Sequence, residues 1–246
     1  MNNHERLIRG MLLLLVCLLI YLGVNFEVSD TVLTGGGDIV ETGEPKKVYL
    51  TFDDGPSKNT EKVLDILKEY NAVATFFVIG DSSTDEFGGV FERMVDEGHA
   101  IGLHCSCHSY NSVYNDDSSC ITSILDERDY LLDQFGIEST LCRLPGGSAN
   151  IYIRDRQTII DTLHSEGIKL YDWNVSAEDS VGVPTAESIM GSVFPTVYDC
   201  NEPIVLLHDG VINNVTVEVL PEILEKLTEY GYEFATLEER DEFFYK

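Results

Sequence analysis

Positive charge is scarce in this chain. Sixteen Lys and Arg stand against 43 Asp and Glu, for a formal net charge of -27. Such a surface repels phosphate backbones, which argues against nucleic-acid binding, and it also repels anionic lipid headgroups. Net charge speaks to solubility more than to chemistry, although it would also draw cationic ligands and metal ions. Tryptophan occurs once, at Trp173. Internal repeats and low-complexity tracts are absent. The chain is nonetheless not disordered, because 43% hydrophobic and 24% charged residues are enough for a packed core.

Long apolar runs are scarce too, and the exception is informative. Residues 11–24 are nearly unbroken apolar sequence, and Arg6 and Arg9 precede them. Basic residues before such a run fit a secretory signal or an uncleaved anchor. The run is short for a spanning helix, which needs about 20 residues, and extends to Phe26. No small-x-small cleavage site follows it. Residues 1–28 are therefore expected to be a cytoplasmic stub and single-pass membrane anchor, with the rest of the chain facing outward. Cleavage would instead release the domain. Residues 29–46, with Gly35-Gly36-Gly37, Gly43 and Pro45, read as a linker, and 47–246 as one domain.

Of six cysteines, Cys17 lies in the apolar run. Cys105, Cys107, Cys120, Cys142 and Cys200 lie in the domain. An exported domain permits disulfides, but five is odd, so one thiol stays free or bridges elsewhere.

Beyond Lys47, short β-branched runs alternate with stretches of helical spacing. The predicted strands are 48–52, 74–79, 100–103, 141–144, 170–175, 204–207 and 234–237. Predicted helices are 60–70, 90–97, 119–135, 155–166, 186–197 and 217–230. This alternation predicts an α/β fold with a parallel sheet, and about seven strands predict a distorted (β/α) barrel.

Polar groups recur where strands give way to loops, the end at which such barrels build sites. Asp53-Asp54 follows the first strand. Neighbouring carboxylates on an extended segment point apart, so they converge only if the chain turns, and Gly55-Pro56 is the expected turn. His104 and His108 follow the third strand. A spacing of four would put both on one face of a helical turn, and with Asp54 they make a candidate two-His, one-carboxylate metal site. Arg143-Leu144-Pro145-Gly146-Gly147 ends another strand, with an arginine able to hold a carboxylate. Asp172-Trp173-Asn174 and Glu178-Asp179 follow the next, and Leu206-Leu207-His208-Asp209 ends the sixth.

In this order the groups resemble the motifs of the polysaccharide deacetylase family, also called the NodB-homology or carbohydrate esterase family 4 domain. The resemblance spans roughly residues 47–237. It implies that Asp54, His104 and His108 hold one divalent metal ion, zinc first, with cobalt, nickel or manganese as alternatives. Asp53 would be the general base and Arg143 would orient it. His208 would protonate the leaving amine, paired with Asp179 or, alternatively, Asp172. A backbone N–H near Gly146 would help hold the oxyanion, and Leu206 and Trp173 would line the acetyl pocket. The expected substrate is peptidoglycan N-acetylglucosamine or N-acetylmuramic acid, with chitin oligomers, exopolysaccharide or acetylxylan as alternatives. A catalytically silent glycan-binding domain and a non-carbohydrate amidase are the competing readings.

Two departures stand out. Cys105 takes the place of the usual Ser or Thr after the first histidine, with Cys107 close behind. As thiolates they would compete for a soft metal. Gly146 stands where an aromatic residue is common.

Overall fold

The computed structural model describes residues 32–33, 39–40, 46–80, 87–107 and 109–245. The expected anchor lies outside these residues, and no helix among them is long and apolar enough to cross a membrane. Residues Met1–Glu44 and Pro45–Lys246 form separate compact units. Within the first, in the stretch read as linker, Val32–Leu33 pairs antiparallel with Ile39–Val40.

In the second unit the elements run β1 (Lys46–Gly55), α1 (Lys58–Glu69), β2 (Thr75–Ile79), α2 (Gly88–Asp96), β3 (Ala100–Cys105), α3 (Tyr110–Val113), α4 (Asp117–Phe135), β4 (Leu141–Cys142), α5 (Arg156–Ser165), β5 (Lys169–Leu170), β6 (Val175–Ser176), α6 (Ala186–Val197), β7 (Ile204–His208), α7 (Asn214–Glu229) and β8 (Tyr232–Phe234). Helix starts carry the local chemistry that the chain supplies. Ser57 and Thr185 form capping boxes ahead of α1 and α6, and Asp116 and Asp155 cap α4 and α5 with their carboxylates.

Seven strands lie in the order β5-β4-β3-β2-β1-β7-β6, every ladder parallel, and β8 pairs with the start of β1. The run expected as one strand at 170–175 is two, β5 and β6, at opposite ends of this order. Five Cα–Cα steps take the chain from Leu170 to Val175, a reach of at most about 17 Å. A flat sheet of seven strands would span roughly 29 Å at its usual strand spacing. The sheet must therefore curl until its two edges nearly meet. The result is a curled half-barrel, in keeping with the distorted barrel that the strand count suggested. No ladder joins β5 to β6 among the described residues. Phe243, from the C-terminal segment, bridges to Tyr171 in the gap between them.

Side-chain alternation sorts the residues onto two faces. Val48, Leu50 and Phe52 of β1, Phe76 and Val78 of β2, Leu103 and Cys105 of β3, and Val205 and Leu207 of β7 join the large cluster under the helices. Tyr49, Phe77, Ala100, Leu141 and Ile204 form a smaller inner cluster, closed by Ala235 and Leu237. The same alternation assigns Thr51, Asp53, His104, Arg143, Leu206 and His208 to the inner face, above that cluster.

Candidate active site

β1 continues past Phe52 to Gly55, beyond its expected end. Its pairing with β2 shifts register between Asp53 and Gly55, and Asp54 has φ +76°. Asp54 is thus the extra residue of a bulge, in the left-handed region that non-glycine residues rarely adopt. The bulge, not Gly55-Pro56, breaks the alternation and lets two consecutive carboxylates serve one site. Left-handed backbone at a non-glycine residue costs on the order of 1 kcal/mol, the kind of strain that collects at functional sites.

Asp53 is buried beside a fully buried Arg143, whose Nη1 lies 2.9 Å from Asp53 Oδ1. The rest of the guanidinium is also satisfied. Nη1 donates to Thr51 Oγ1 at 2.6 Å, Nε to Tyr171 O at 2.9 Å and Nη2 to Asp172 O at 3.0 Å. The plane lies over the Phe77 ring at 4.3 Å, and Trp173 flanks it at 5.7 Å. A buried charge survives only when so fully partnered. Gly102 is required here, because a Cβ at that position would collide with the Phe77 ring.

His104 is buried and belongs to β3, so the helical-turn rationale for His104 and His108 does not hold. His108 itself lies outside the described residues. His104 Nδ1 meets the Arg143 carbonyl at 2.7 Å, which makes Nδ1–H the donor and turns the Nε2 lone pair to Asp54 Oδ1, 3.4 Å away. Two electron-pair donors facing each other at that separation suit a cation between them. Among the described residues no group of three or more His, Cys, Asp or Glu is placed to hold a metal. Of the three expected ligands, Asp54 and His104 are the two that the described residues bring together.

His208 ends β7 beside Asp53. Asp179 holds it twice, with Oδ1 at 2.8 Å from Nδ1 and Oδ2 accepting the His208 backbone N–H at 2.8 Å. Thr216 donates to Asp179 Oδ2 at 2.7 Å, and Asn213 donates to its carbonyl at 3.2 Å. Burial works against charge on the ring. The hydrogen bond and charge of Asp179, with the charges of Asp53 and Asp54, outweigh it and raise the His208 pKa to about 9. Asp172 is occupied elsewhere. Its carboxylate accepts from Ser148 N and Oγ and from Tyr245 N. Of the two candidate aspartates, only Asp179 reaches His208.

Gly146 and Gly147 have φ of +74° and +81°. Asn150 Nδ2 ties the turn through Pro145 O and Gly147 O. Trp173 packs against Gly147, and Leu206 is buried on β7.

All five cysteines in the domain are free thiols. Cys105 points to the outer face and is fully buried, and burial pushes its pKa far up. It stays a thiol and offers the site no thiolate.

Sequence reasoning missed the supporting residues. Thr216, Asn213, Ser148 and Glu127 carry no motif of their own. Glu127, fully buried on α4, accepts the backbone N–H groups of His104 and Cys105. Only the fold brings them to the site.

A family model described as polysaccharide deacetylase matches residues 41–162. A peptidoglycan-N-acetylglucosamine deacetylase of Bacillus cereus is 31% identical over 207 residues, covering 81% of this chain and 72% of that protein. Among solved structures, the catalytic domain of a peptidoglycan N-acetylglucosamine deacetylase from Eubacterium rectale superimposes with a TM-score of 0.74 at 27% identity, covering 89% of this chain and 97% of that one. A family 4 acetyl xylan esterase from Clostridium thermocellum, in complex with a cobalt ion, superimposes with a TM-score of 0.67 at 32% identity, covering 79% and 89%.

Proposed function

The chain belongs to the polysaccharide deacetylase family, and from that premise we propose that it removes N-acetyl groups from peptidoglycan, at N-acetylglucosamine or N-acetylmuramic acid. The observation that carries the reading is the meeting of Asp53 and His208 on neighbouring strands, each with its own buried partner, Arg143 and Asp179. Amide hydrolysis needs a group that takes a proton from water and a second that gives one to the departing amine. A carboxylate fixed by a guanidinium suits the first task, and an imidazolium stabilised by a carboxylate suits the second.

Asp54, His104 and His108 are the residues that would hold a divalent cation, zinc or, alternatively, cobalt, nickel or manganese. Bound there, such an ion supplies Lewis acidity toward the acetamide carbonyl and toward water. Asp53 takes the proton of the attacking water, and Arg143 keeps the accepting oxygen in place. A backbone N–H of the Gly146 turn stabilises the developing oxyanion. Leu206 and Trp173 exclude water around the acetyl methyl. His208 delivers its proton to the amine nitrogen as the C–N bond breaks, leaving acetate and a free amino sugar.

We place the domain outside the cell, tethered by the apolar run at 11–24 behind Arg6 and Arg9. A mature N-terminus beginning after Val24 would show a secreted protein instead.

The test is acetate release from purified peptidoglycan, with and without added zinc, beside Asp53→Asn. The reading expects zinc-stimulated release that Asp53→Asn abolishes. Zinc binding with no acetate from peptidoglycan, chitin oligomers or acetylxylan would leave a glycan-binding domain.

A further inference from the structure

Residues 240–245 run along the gap between β5 and β6, where no ladder among the described residues closes the sheet. They take the place of the missing rung. Phe243 bridges in parallel to Tyr171, and its carbonyl accepts the Asp172 N–H at 2.7 Å. The Tyr245 N–H donates to Asp172 Oδ2 at 2.8 Å, and the Tyr245 hydroxyl donates to the Trp173 carbonyl. The Arg240 carbonyl accepts the Tyr171 hydroxyl at 2.9 Å. Toward β5, Glu242 Oε1 accepts the Leu170 N–H and lies 2.7 Å from His164 Nε2. Side chains lock the same register. Phe243 packs on the inner cluster that holds Tyr49, Phe77 and Tyr171. The Tyr245 ring meets Trp173 edge on, with centroids 6.3 Å apart.

What this segment grips is the backing of the catalytic centre. Tyr171 and Asp172 lie between β5 and β6, strands of two residues each. So short a pair of strands offers few ladder bonds to hold the stretch between them, and stretches of that kind open locally unless packed elsewhere. The carbonyls of these same two residues accept Arg143 Nε at 2.9 Å and Nη2 at 3.0 Å. Arg143 Nη1 in turn holds Asp53 Oδ1 at 2.9 Å. A guanidinium is a rigid planar fork, so a shift of two accepting carbonyls turns the whole plane and moves its third bond with it. Catalytic groups need placement to within about 0.5 Å, which their supporting hydrogen bonds must supply.

We propose that residues 240–245 are a positioning strap for the general base. They hold the Tyr171 and Asp172 carbonyls in line, those carbonyls fix the Arg143 guanidinium, and the guanidinium aims Asp53. Phe243 is the positioning residue at the centre of the strap. The proposal rests on Asp53 being the base of the reaction proposed above.

Phe243→Ala empties the centre of the strap, and three measurements read the result. First, kcat for acetate release should fall by about tenfold with KM within about twofold, because alignment is lost and substrate binding is not. Second, Trp173 is the single tryptophan of the chain, so acrylamide should quench its fluorescence more strongly once the strap lifts. Third, the Arg143 Nε–H, on a fully buried side chain, should exchange faster when followed by NMR. Phe243→Leu, which keeps an apolar filling, should restore most of all three. Val193→Ala, a core truncation on α6, should cost stability and move none of them. If Phe243→Ala does not fold, Tyr245→Phe removes the bond to the Trp173 carbonyl and should move the same readouts in the same direction. A loss confined to KM, an unchanged kcat or unchanged Arg143 exchange would overturn the strap. Absent acetate release from the unmodified protein would overturn the deacetylase reading, and the Arg143 exchange would then still decide whether the strap holds the guanidinium.

Discussion

Asp179 holds His208 by both ends, one carboxylate oxygen on the ring Nδ1 and the other on the backbone N–H, each at 2.8 Å. The pair leaves Nε2 as the proton-bearing atom for chemistry and raises the ring pKa to about 9. A general acid works while protonated, so activity should hold at neutral pH and fall on the alkaline side. A bound cation beside Asp53 and Asp54 would offset their charges and bring that limb lower.

Asp179→Asn removes the largest force that raises the ring. The alkaline limb should then move toward the ordinary histidine range of about 6.5. At pH 8 the protonated fraction, and with it kcat, should fall roughly 30-fold. A pH–rate profile read beside an NMR titration of His208 checks this, and an unmoved limb would remove His208 from the general-acid role.

Arg143 and Asp53 form an ion pair almost wholly withdrawn from water. Arg143→Met would leave Asp53 a buried charge without its partner. Breaking such a pair costs about 3 to 5 kcal/mol. Urea denaturation of the two proteins should show it, and Arg143→Lys should recover only part, because an ammonium cannot reach Thr51, Tyr171, Asp172 and Asp53 together.

Burial raises the Glu127 carboxyl well above the usual carboxylate range, against the two backbone N–H groups that it accepts, and among the described residues Oε1 has no hydrogen-bond partner. Glu127→Gln keeps the accepting oxygen and should change stability by less than about 0.5 kcal/mol. Glu127→Val strands two N–H groups, at about 1 to 3 kcal/mol each. It should also loosen His104, with zinc affinity down by roughly tenfold. Thermal melting without metal, followed by zinc competition titration, separates the two effects.

His99 Nδ1 accepts the Ala74 N–H at 3.1 Å, deep in the domain. Burial lowers its pKa to about 4, against the opposing pull of Glu97 and with a small push from Arg93. The unfolded chain takes up this proton near 6.5 and the folded one near 4. Stability is therefore full above pH 6.5 and declines as pH falls toward 4, by about 3 kcal/mol over the window. His99→Asn should flatten that part of a stability–pH curve measured by urea unfolding.

The alternation of strands and helices was legible along the chain, and so were the strand-end positions of Asp53, His104, Arg143 and His208. Local pattern carries both, because side-chain period and helix spacing are properties of short segments. Three things were not local. The run at 170–175 looked like one strand, yet its ends belong to opposite edges of a curled sheet, a matter of long-range pairing. The turn at Asp53-Asp54 seemed to belong to Gly55-Pro56, yet pairing with β2 forces the bulge onto Asp54. Asp179 was preferred to Asp172 on the resemblance, yet nothing local showed which of them would reach His208.

Composition and spacing alone specify an α/β chain with acidic, imidazole and guanidinium groups at strand ends. Which of them meet is settled by long-range packing. It set Asp179 against His208, enclosed Arg143 between Asp53 and two aromatic rings, and turned Cys105 away from the site. The physical reason is the same in each case. Buried charges and polar groups must find partners across the fold, and those partners lie far away in sequence.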